Sequence, residues 1–326
     1  MRFASFTRED QLQHLFNLAH AALQAWHIEP HTITLVQYEN NAVYRVIGAD
    51  GDYALRINRP AHKPLQWIES ELMWLHTLQD VPALHIPCPV RDVYKGQVTG
   101  VEGEVYAVLF EWLEGDALPP TEHTPAHLYA IGQHAAHLHA TPFERPATFD
   151  RPTLDHEGLF GERSAYHPRE HAHLISPFAQ SILSAVAEQV GQVMDALAQY
   201  ADQMGMIHGD MIFKNILFHH EQVRLIDFDD CGTGYYLYEL ACPLLFYRHL
   251  PNYADLKTAL LEGYKHIHPL PPAHRDALET FIAARYVASC RWVASNSAHP
   301  SLRGKASQII DDRAHELERY LHSGRL

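Results

Sequence analysis

The chain has 326 residues, of which 47% are apolar and 20% charged, a composition typical of a globular protein with one large domain or two lobes. Its formal net charge of −14 argues against DNA or RNA as a partner, because nucleic acids bind basic surfaces. No apolar run approaches the ~18 residues that span a bilayer, and the start lacks the apolar core of a signal peptide. We therefore expect a cytoplasmic protein that does not interact with a membrane.

The N-terminal third of the chain alternates between helical and strand patterns. Apolar residues at helical spacing predict a helix in "TREDQLQHLFNLAHAALQAW", within an N-terminal extension over residues 1–30. From Thr32 apolar and polar residues alternate, which predicts a β-hairpin around the turn "GADGD". Helical spacing returns in "PLQWIESELMWLHTL", and two further strands are predicted before Gly115. Residues 31–113 are thus expected to form a β-rich unit with one long helix.

The remainder of the chain, residues 114–326, is predicted to be mostly helical, with one short β-hairpin near 216–226. Helical spacing covers 124–140, 172–204, 235–249, 253–266, 271–297 and 300–322. Strands grouped before helices are typical of the α+β class.

One central stretch, "IHGDMIFKNILFHHEQVRLIDFDD", concentrates acidic and amide side chains between apolar runs. Asp210 and Asn215 precede the first run, and Asp227 follows the second. A turn at "HHEQ" would return the chain and bring Asn215 and Asp227 side by side, with Asp210 nearby. One amide and one carboxylate oxygen suit Mg²⁺, which usually takes few protein ligands and completes its shell with water and phosphate oxygens. The stretch therefore predicts a magnesium site.

The same spacing resembles the catalytic loop of the kinase fold, in which an Asp is followed five residues later by Asn and, after a hairpin, by a metal-binding Asp. "HGD" and "DFD" in place of the protein-kinase motifs resemble the aminoglycoside phosphotransferase and choline kinase-like group. "CGTGYYLYELA" is similar to that group's next segment, with Glu239 where Asp is more usual. The resemblance implies a bilobal protein kinase-like fold that uses Mg²⁺ and ATP as co-substrate.

The resemblance implies that residues 31–113 form a nucleotide-binding N-lobe. Residues 114–326 would form a C-lobe with the catalytic loop, the metal site and the acceptor site. Asp210 is implied to accept or orient the proton of the acceptor hydroxyl, and Asn215 and Asp227 to bind the metal. His208 is interpreted as a scaffold residue. Gly209 is expected to keep the loop backbone tight, since without a Cβ it can adopt conformations that other residues disfavour.

The N-lobe of such a fold needs a cation for the phosphates and a carboxylate that holds it. Arg56, in "YALRINRP", occupies the position where protein kinases have Lys, and it can bind phosphate in a bidentate manner. Lys63 lies outside that strand. Glu71 is the predicted partner because it shares the apolar face of the long helix, whereas Glu69 lies on another face.

The resemblance implies two further nucleotide contacts. Asn40 and Asn41, in "YENNAVYRV", would replace the glycines of a phosphate-covering loop, since Asn tolerates left-handed conformations. The segment "LFEWLEG" would be the hinge, where backbone groups of Glu111, Trp112 and Leu113 contact adenine.

These features predict a phosphotransferase that moves the γ-phosphate to a hydroxyl of a small molecule: an amino alcohol, an aminoglycoside, a homoserine-like compound or a sugar. Acidic and aromatic residues after the metal Asp would suit a cationic acceptor, although the same aromatic residues could simply pack in a helix. The candidate acceptor residues are Asp229, Asp230, Tyr235 and Tyr236.

Three alternatives remain open at this point. The first is a Ser/Thr protein kinase of the bacterial stress-response type, although no "APE" element is recognisable. The second is a nucleotide-binding regulator without catalysis, which would be expected to lack one of the three motif residues. The third is a metallohydrolase built on His208, Asp210, His219 and Asp227.

Overall fold

The computed structural model describes residues 6–39, 41–58, 63–92, 99–102, 105–299 and 301–326. The chain divides into two compact units. The first unit comprises Met1–Gly115, Phe143–Arg151 and Arg224–Asp229, and the second comprises Asp116–Pro142, Pro152–Val223 and Asp230–Leu326. Asp227 therefore belongs by its contacts to the first unit, whereas the sequence division assigned it to the C-lobe. That division into three ranges stays a prediction.

The first unit contains a five-stranded antiparallel sheet in the order β1-β2-β3-β5-β4. Its strands and helices are α1 (Arg8–Leu23), β1 (Thr32–Tyr38), β2 (Asn41–Ile47), β3 (Asp52–Asn58), α2 (Leu65–Leu78), β4 (Thr99–Glu102) and β5 (Val105–Glu111). The alternating pattern predicted the hairpin correctly, since β2 and β3 pair directly across the turn that follows Ile47.

Helix α1 begins where the sequence indicates, because the Thr7 side chain accepts a hydrogen bond from the backbone N–H of Asp10 at 3.2 Å. Its buried face packs with β2, β3 and β5 in one apolar cluster. Helix α2 buries a face that includes Ile68, Leu72 and Leu75. Glu71 is buried on that face and Glu69 is exposed, as the helical spacing predicted.

The second unit is mostly helical. Its helices are α3 (Pro125–Ala140), α4 (His156–Phe160), α5 (Pro177–Leu197), α6 (Tyr236–Tyr247), α7 (Tyr253–Lys265), α8 (Pro272–Ser295) and α9 (Ala306–Ser323). Its short strands are β6 (Asp116–Ala117), β7 (Thr153–Leu154), β8 (Met204–Ile207), β9 (Ile216–His219), β10 (Gln222–Leu225, which continues into the first unit) and β11 (Gly232–Tyr235). The predicted α+β fold class is confirmed.

One small sheet of the second unit was not predicted. Strands β7, β11 and β8 are neighbours in that order, and β11 pairs antiparallel to β8 from Gly232 with Ile207 to Tyr235 with Met204. Strands of two to four residues are too short to show a period of two, so the sequence pattern could not reveal them. The pairing brings the segment after Asp230 beside the strand that leads to His208. Within the described part of the chain, no helix is long and apolar enough to cross a membrane.

Candidate active site

The loop after β8 carries the "HGD" motif and has a tight backbone at Gly209. This glycine has φ +79°, in the left-handed region that side chains disfavour. A Cβ at position 209 would lie 2.6 Å from the carbonyl oxygen of Asp230. Both facts require glycine here, which agrees with the expectation from the motif.

A buried carboxylate from α6 holds this loop. Glu239 is fully buried, and its two oxygens accept the backbone N–H groups of His208 at 2.6 Å and Gly209 at 3.0 Å. Burial alone would raise the pKa of Glu239, but nearby His139 and His208, together with these hydrogen bonds, keep it below its usual value. His208 is also fully buried, and its Nδ1 accepts the N–H of Asp210 at 3.3 Å. These contacts favour a scaffold role for His208.

Asp210 has a partner on each carboxylate oxygen. Its Oδ2 accepts a hydrogen bond from Asn215 Nδ2 at 3.0 Å, and its Oδ1 pairs with Nη2 of Arg285 on α8. Burial raises the pKa of Asp210 and the negative charge of Asp230 adds to this, whereas Arg285 opposes the rise. A carboxylate oriented from both sides in a largely desolvated position is chemically suited to accept or align a hydroxyl proton.

The contacts of Asn215 decide which atom of its side chain is available to a metal. Nδ2 donates to both the backbone oxygen of Asp210, at 2.9 Å, and its carboxylate. The amide oxygen therefore points elsewhere, and it is the atom of Asn215 that metals bind.

The second candidate metal ligand, Asp227, follows β10 and lies in the first unit. It has φ +65°, a left-handed conformation that is uncommon for residues other than glycine. Its neighbour Phe228 is buried, with its ring 5.5 Å from that of Trp74 on α2. A residue keeps such a conformation only where the surrounding packing maintains it, and residues of this kind are common at functional sites.

The structure brings together the cation and carboxylate predicted in the first unit. Arg56 Nη1 and Nη2 donate to Glu71 Oε1 and Oε2 at 2.7 and 2.8 Å, so the pair is bidentate. Both residues are buried, with 4% and 1% of their surfaces exposed. Although burial by itself disfavours the charged guanidinium, Glu71 raises the pKa of Arg56 above its usual value.

Asp229 lies at the centre of a cation cluster that sequence reasoning missed. Its Oδ2 pairs with Lys63 Nζ at 2.7 Å and accepts Asn41 Nδ2 at 3.0 Å. Arg151 Nη2 donates to its backbone oxygen at 2.7 Å, and Arg56 Nη1 lies 4.0 Å from Oδ1. Burial would raise the pKa of Asp229, but Lys63 and Arg56 hold it well below its usual value.

No periodicity in the sequence connects Arg151 with Asp229, because 78 residues separate them. Lys63 lies outside the strand that carries Arg56, so the strand pattern does not connect it with Asp229. Asn41 is buried at the start of β2 and accepts a further hydrogen bond from Asn58. Asn40 lies outside the described residues.

The predicted hinge follows β5, and two of its N–H groups are already bonded. Glu111 N–H donates to Cys88 O and Trp112 N–H to Asp52 O, both at 2.9 Å. Within the described residues, the N–H of Leu113 donates to no backbone oxygen. The N–H of Leu113 is therefore the hinge group to consider for an adenine contact.

Comparison with known proteins identifies the family. A model of the phosphotransferase enzyme family matches residues 33–278. An uncharacterised protein of Deinococcus radiodurans is 31% identical over 264 residues, which cover 78% of this chain and 74% of that protein. The chain belongs to the phosphotransferase enzyme family. This confirms the resemblance inferred from the "HGD…N…DFD" pattern, and it places this phosphotransferase among the small-molecule kinases with an alcohol group as acceptor.

Solved structures agree with the assignment. The structure of a microcompartment-associated aminopropanol kinase is 26% identical, with a TM-score of 0.81, and covers 94% of this chain and 98% of its own. An amicoumacin kinase in complex with AMP-PNP, Ca²⁺ and amicoumacin is 18% identical, with a TM-score of 0.77. The match covers 97% of this chain and 94% of the amicoumacin kinase. Both likenesses confirm a protein-kinase-like fold for this phosphotransferase.

The residues predicted to bind the acceptor have mostly internal contacts. The contacts of Asp229 are those of the cation cluster described above. The hydroxyl of Tyr235 donates to Met194 O at 2.9 Å. Tyr236 donates to His139 O at 3.3 Å, and its ring stacks on that histidine at 4.1 Å. These contacts favour the packing interpretation of the two tyrosines. Asp230 is half-buried and follows Asp229 directly.

The metallohydrolase alternative gains no support from the structure of this phosphotransferase. Among the residues that the structure describes, no group of three or more His, Cys, Asp or Glu side chains is placed to hold a metal ion. His219 ends β9, and its ring lies 4.4 Å from that of His220 in the turn before β10.

Proposed function

We propose that this kinase transfers the γ-phosphate of ATP to a hydroxyl of a small amine-bearing molecule, with amino alcohols as the first acceptors to test. The observation that supports this most directly is the Asp210 carboxylate, oriented by Asn215 and Arg285 in a loop that Glu239 holds. The aminopropanol kinase structure, at 26% identity, supports an amino alcohol as acceptor. Aminoglycosides and homoserine-like compounds are the other amine-bearing acceptor classes within the proposal, and sugars are included in the screen as acceptors without an amine.

Asp210 has the role of aligning the acceptor hydroxyl and receiving its proton as the oxygen attacks phosphorus. A positioned carboxylate of this kind typically contributes 10²–10⁴-fold to the rate. Most of the remaining catalysis in phosphoryl transfer comes from positioning and from stabilisation of negative charge. Asp230 adds negative charge near Asp210, which would favour an ammonium group on the acceptor.

Asn215 and Asp227 are proposed to hold Mg²⁺ through the amide oxygen and the carboxylate. The donor set fits this ion, because Asn215 Nδ2 is committed to Asp210 and leaves its oxygen for the metal. When bound, Mg²⁺ offsets the charge of the nucleotide phosphates.

In the first unit, Arg56 is proposed to bind the nucleotide phosphates, with Glu71 fixing its orientation through two hydrogen bonds. Adenine is proposed to contact the backbone of Glu111 and Leu113. The cytoplasmic location stays a prediction from the sequence.

An ATP-consumption screen tests the proposal. The acceptors are amino alcohols, aminoglycosides, homoserine, sugars and a generic protein substrate, each with and without Mg²⁺. Wild-type protein is expected to consume ATP with at least one small amine-bearing alcohol, and the product is identified by mass spectrometry. Phosphorylation of the protein substrate alone would instead indicate the Ser/Thr protein kinase alternative.

The matched variants are Asp210→Asn and Asp276→Asn, since Asp276 is an exposed carboxylate on α8. Asp210→Asn is expected to lower kcat at least ~100-fold while MgATP still binds. Asp276→Asn should behave as wild type. An Asp210→Asn variant with an unchanged rate would exclude the role assigned to that carboxylate.

A further inference from the structure

We infer that Arg285 is a positioning residue for phosphoryl transfer, which acts by fixing the orientation of the Asp210 carboxylate. This inference rests on the proposed function, in which Asp210 aligns the acceptor hydroxyl. Arg285 lies 75 residues beyond Asp210 in the sequence and outside the catalytic motif.

Asn215 alone cannot fix the carboxylate. Its Nδ2 holds Oδ2 of Asp210 at 3.0 Å, but a carboxylate bonded through one oxygen can still rotate about its terminal torsion, for which side chains have only broad preferences. The bond from Arg285 Nη2 to Oδ1 restrains the second oxygen. The plane of the carboxylate is then determined from two sides.

Helix α8 is a rigid support for this contact. It has 24 residues, and the neighbours of Arg285 on the helix, Ala284 and Tyr286, are buried. Side chains locked by surrounding packing hold catalytic groups more precisely than loop residues do. Arg285 itself is 8% exposed, and a buried guanidinium is costly without a paired charge. The pair with Asp210 provides that charge.

A purely structural ion pair would predict loss of stability without a specific loss of turnover, so the test separates the two roles. The variants are Arg285→Ala and Arg291→Ala. Arg291 is a suitable control because it lies on the same helix and is 9% exposed, but its guanidinium donates to the backbone oxygens of Leu159 and Gly161.

Steady-state kinetics are measured with the best acceptor from the screen, with and without ethylguanidinium. Arg285→Ala is expected to lower kcat by about 100-fold, because small displacements of reacting groups have effects of this size. The KM for MgATP should stay within about twofold of wild type. Ethylguanidinium should restore part of kcat in Arg285→Ala and leave Arg291→Ala unchanged.

The inference is overturned if Arg285→Ala retains the wild-type kcat, if Arg291→Ala shows the same loss, or if ethylguanidinium restores nothing. Arg285→Met fills the vacated volume and replaces the alanine variant in the kinetic comparison if that variant does not fold. For Arg285→Met, the same loss of kcat supports the inference and a wild-type kcat overturns it.

Crystal structures of wild type and Arg285→Met give a readout that needs no activity. A rotated Asp210 carboxylate in the variant supports positioning, and an unmoved one contradicts it. If wild type phosphorylates no acceptor, the proposed function fails, but this structural comparison still decides whether Arg285 orients Asp210.

Discussion

Replacing Glu239 tests whether one buried carboxylate maintains the catalytic loop. The side chain is fully buried and accepts two backbone N–H groups, from His208 at 2.6 Å and Gly209 at 3.0 Å. Glu239→Ala removes both acceptors and leaves two donors in a site that offers little access to water. The loop then loses the contacts that fix the residues immediately before Asp210.

The size of the effect follows from these two hydrogen bonds. A buried donor left without a partner costs about 1–3 kcal/mol, so Glu239→Ala should lower the free energy of unfolding by about 2–6 kcal/mol. Domains have total stabilities of about 5–15 kcal/mol, so this is a large share. At about 2 °C per kcal/mol for a larger domain, the Tm should fall by about 4–12 °C.

Differential scanning calorimetry measures the loss of stability, and steady-state kinetics measure the effect of the loosened loop on turnover. Glu239→Gln should lose less stability than Glu239→Ala, because one amide oxygen can still accept while the amide nitrogen faces an N–H group. The control is Glu262→Ala, which removes an exposed carboxylate paired with Lys265 on α7 and should change stability by no more than about 0.5 kcal/mol. A Tm for Glu239→Ala within about 1 °C of wild type would refute the reasoning.

Three other predictions concern the metal, the buried ion pair and pH. Asp227→Ala should abolish Mg²⁺-dependent ATP binding in isothermal titration calorimetry, whereas Asp276→Ala should bind normally; equal affinities would contradict metal ligation. Glu71→Gln should lower the free energy of unfolding in urea by up to about 3–5 kcal/mol, because Arg56 would lose its bidentate counter-charge and keep only Asp229 at 4.0 Å; Arg56→Met combined with Glu71→Leu should recover part of that loss, and strictly additive effects would argue against coupling. Burial and the neighbouring His127 lower the pKa of His123 to about 4. The unfolded chain therefore binds this proton first, and stability should decline as pH falls from about 6.5 towards 4. Urea unfolding of His123→Gln should show a shallower decline over that range, and identical slopes would exclude this cause.

The sequence predicted the elements whose periodicity extends over several turns or a full hairpin. Helix α7, for example, spans Tyr253–Lys265 against a predicted 253–266, because its apolar face repeats over three turns. Helix α5 is shorter than predicted, at Pro177–Leu197 instead of 172–204. Short 3₁₀ segments precede and follow it, and the spacing of apolar residues does not reveal where such turns replace the α-helix.

The site was predictable where its residues are close in sequence or share a helix face. The resemblance to kinases implied a cation on the strand and a carboxylate on the next helix, and helical spacing then selected Glu71 as the partner of Arg56, a pair that the structure shows. Lys63, Arg151 and Arg285 were missed as partners, since their contacts join parts of the chain with no local pattern in common. The family resemblance could not supply them either, because they lie outside the "HGD…N…DFD" motif.

The double hydrogen bond donated by Asn215 restricts what could replace it. Aspartate is an equally good oxygen ligand for magnesium, but it has no N–H group to donate. At position 215 an aspartate would direct an acceptor oxygen towards the backbone and side-chain oxygens of Asp210, and the two negative charges would repel each other. An amide meets both requirements in one side chain, since its nitrogen satisfies the neighbour while its oxygen remains available to a cation.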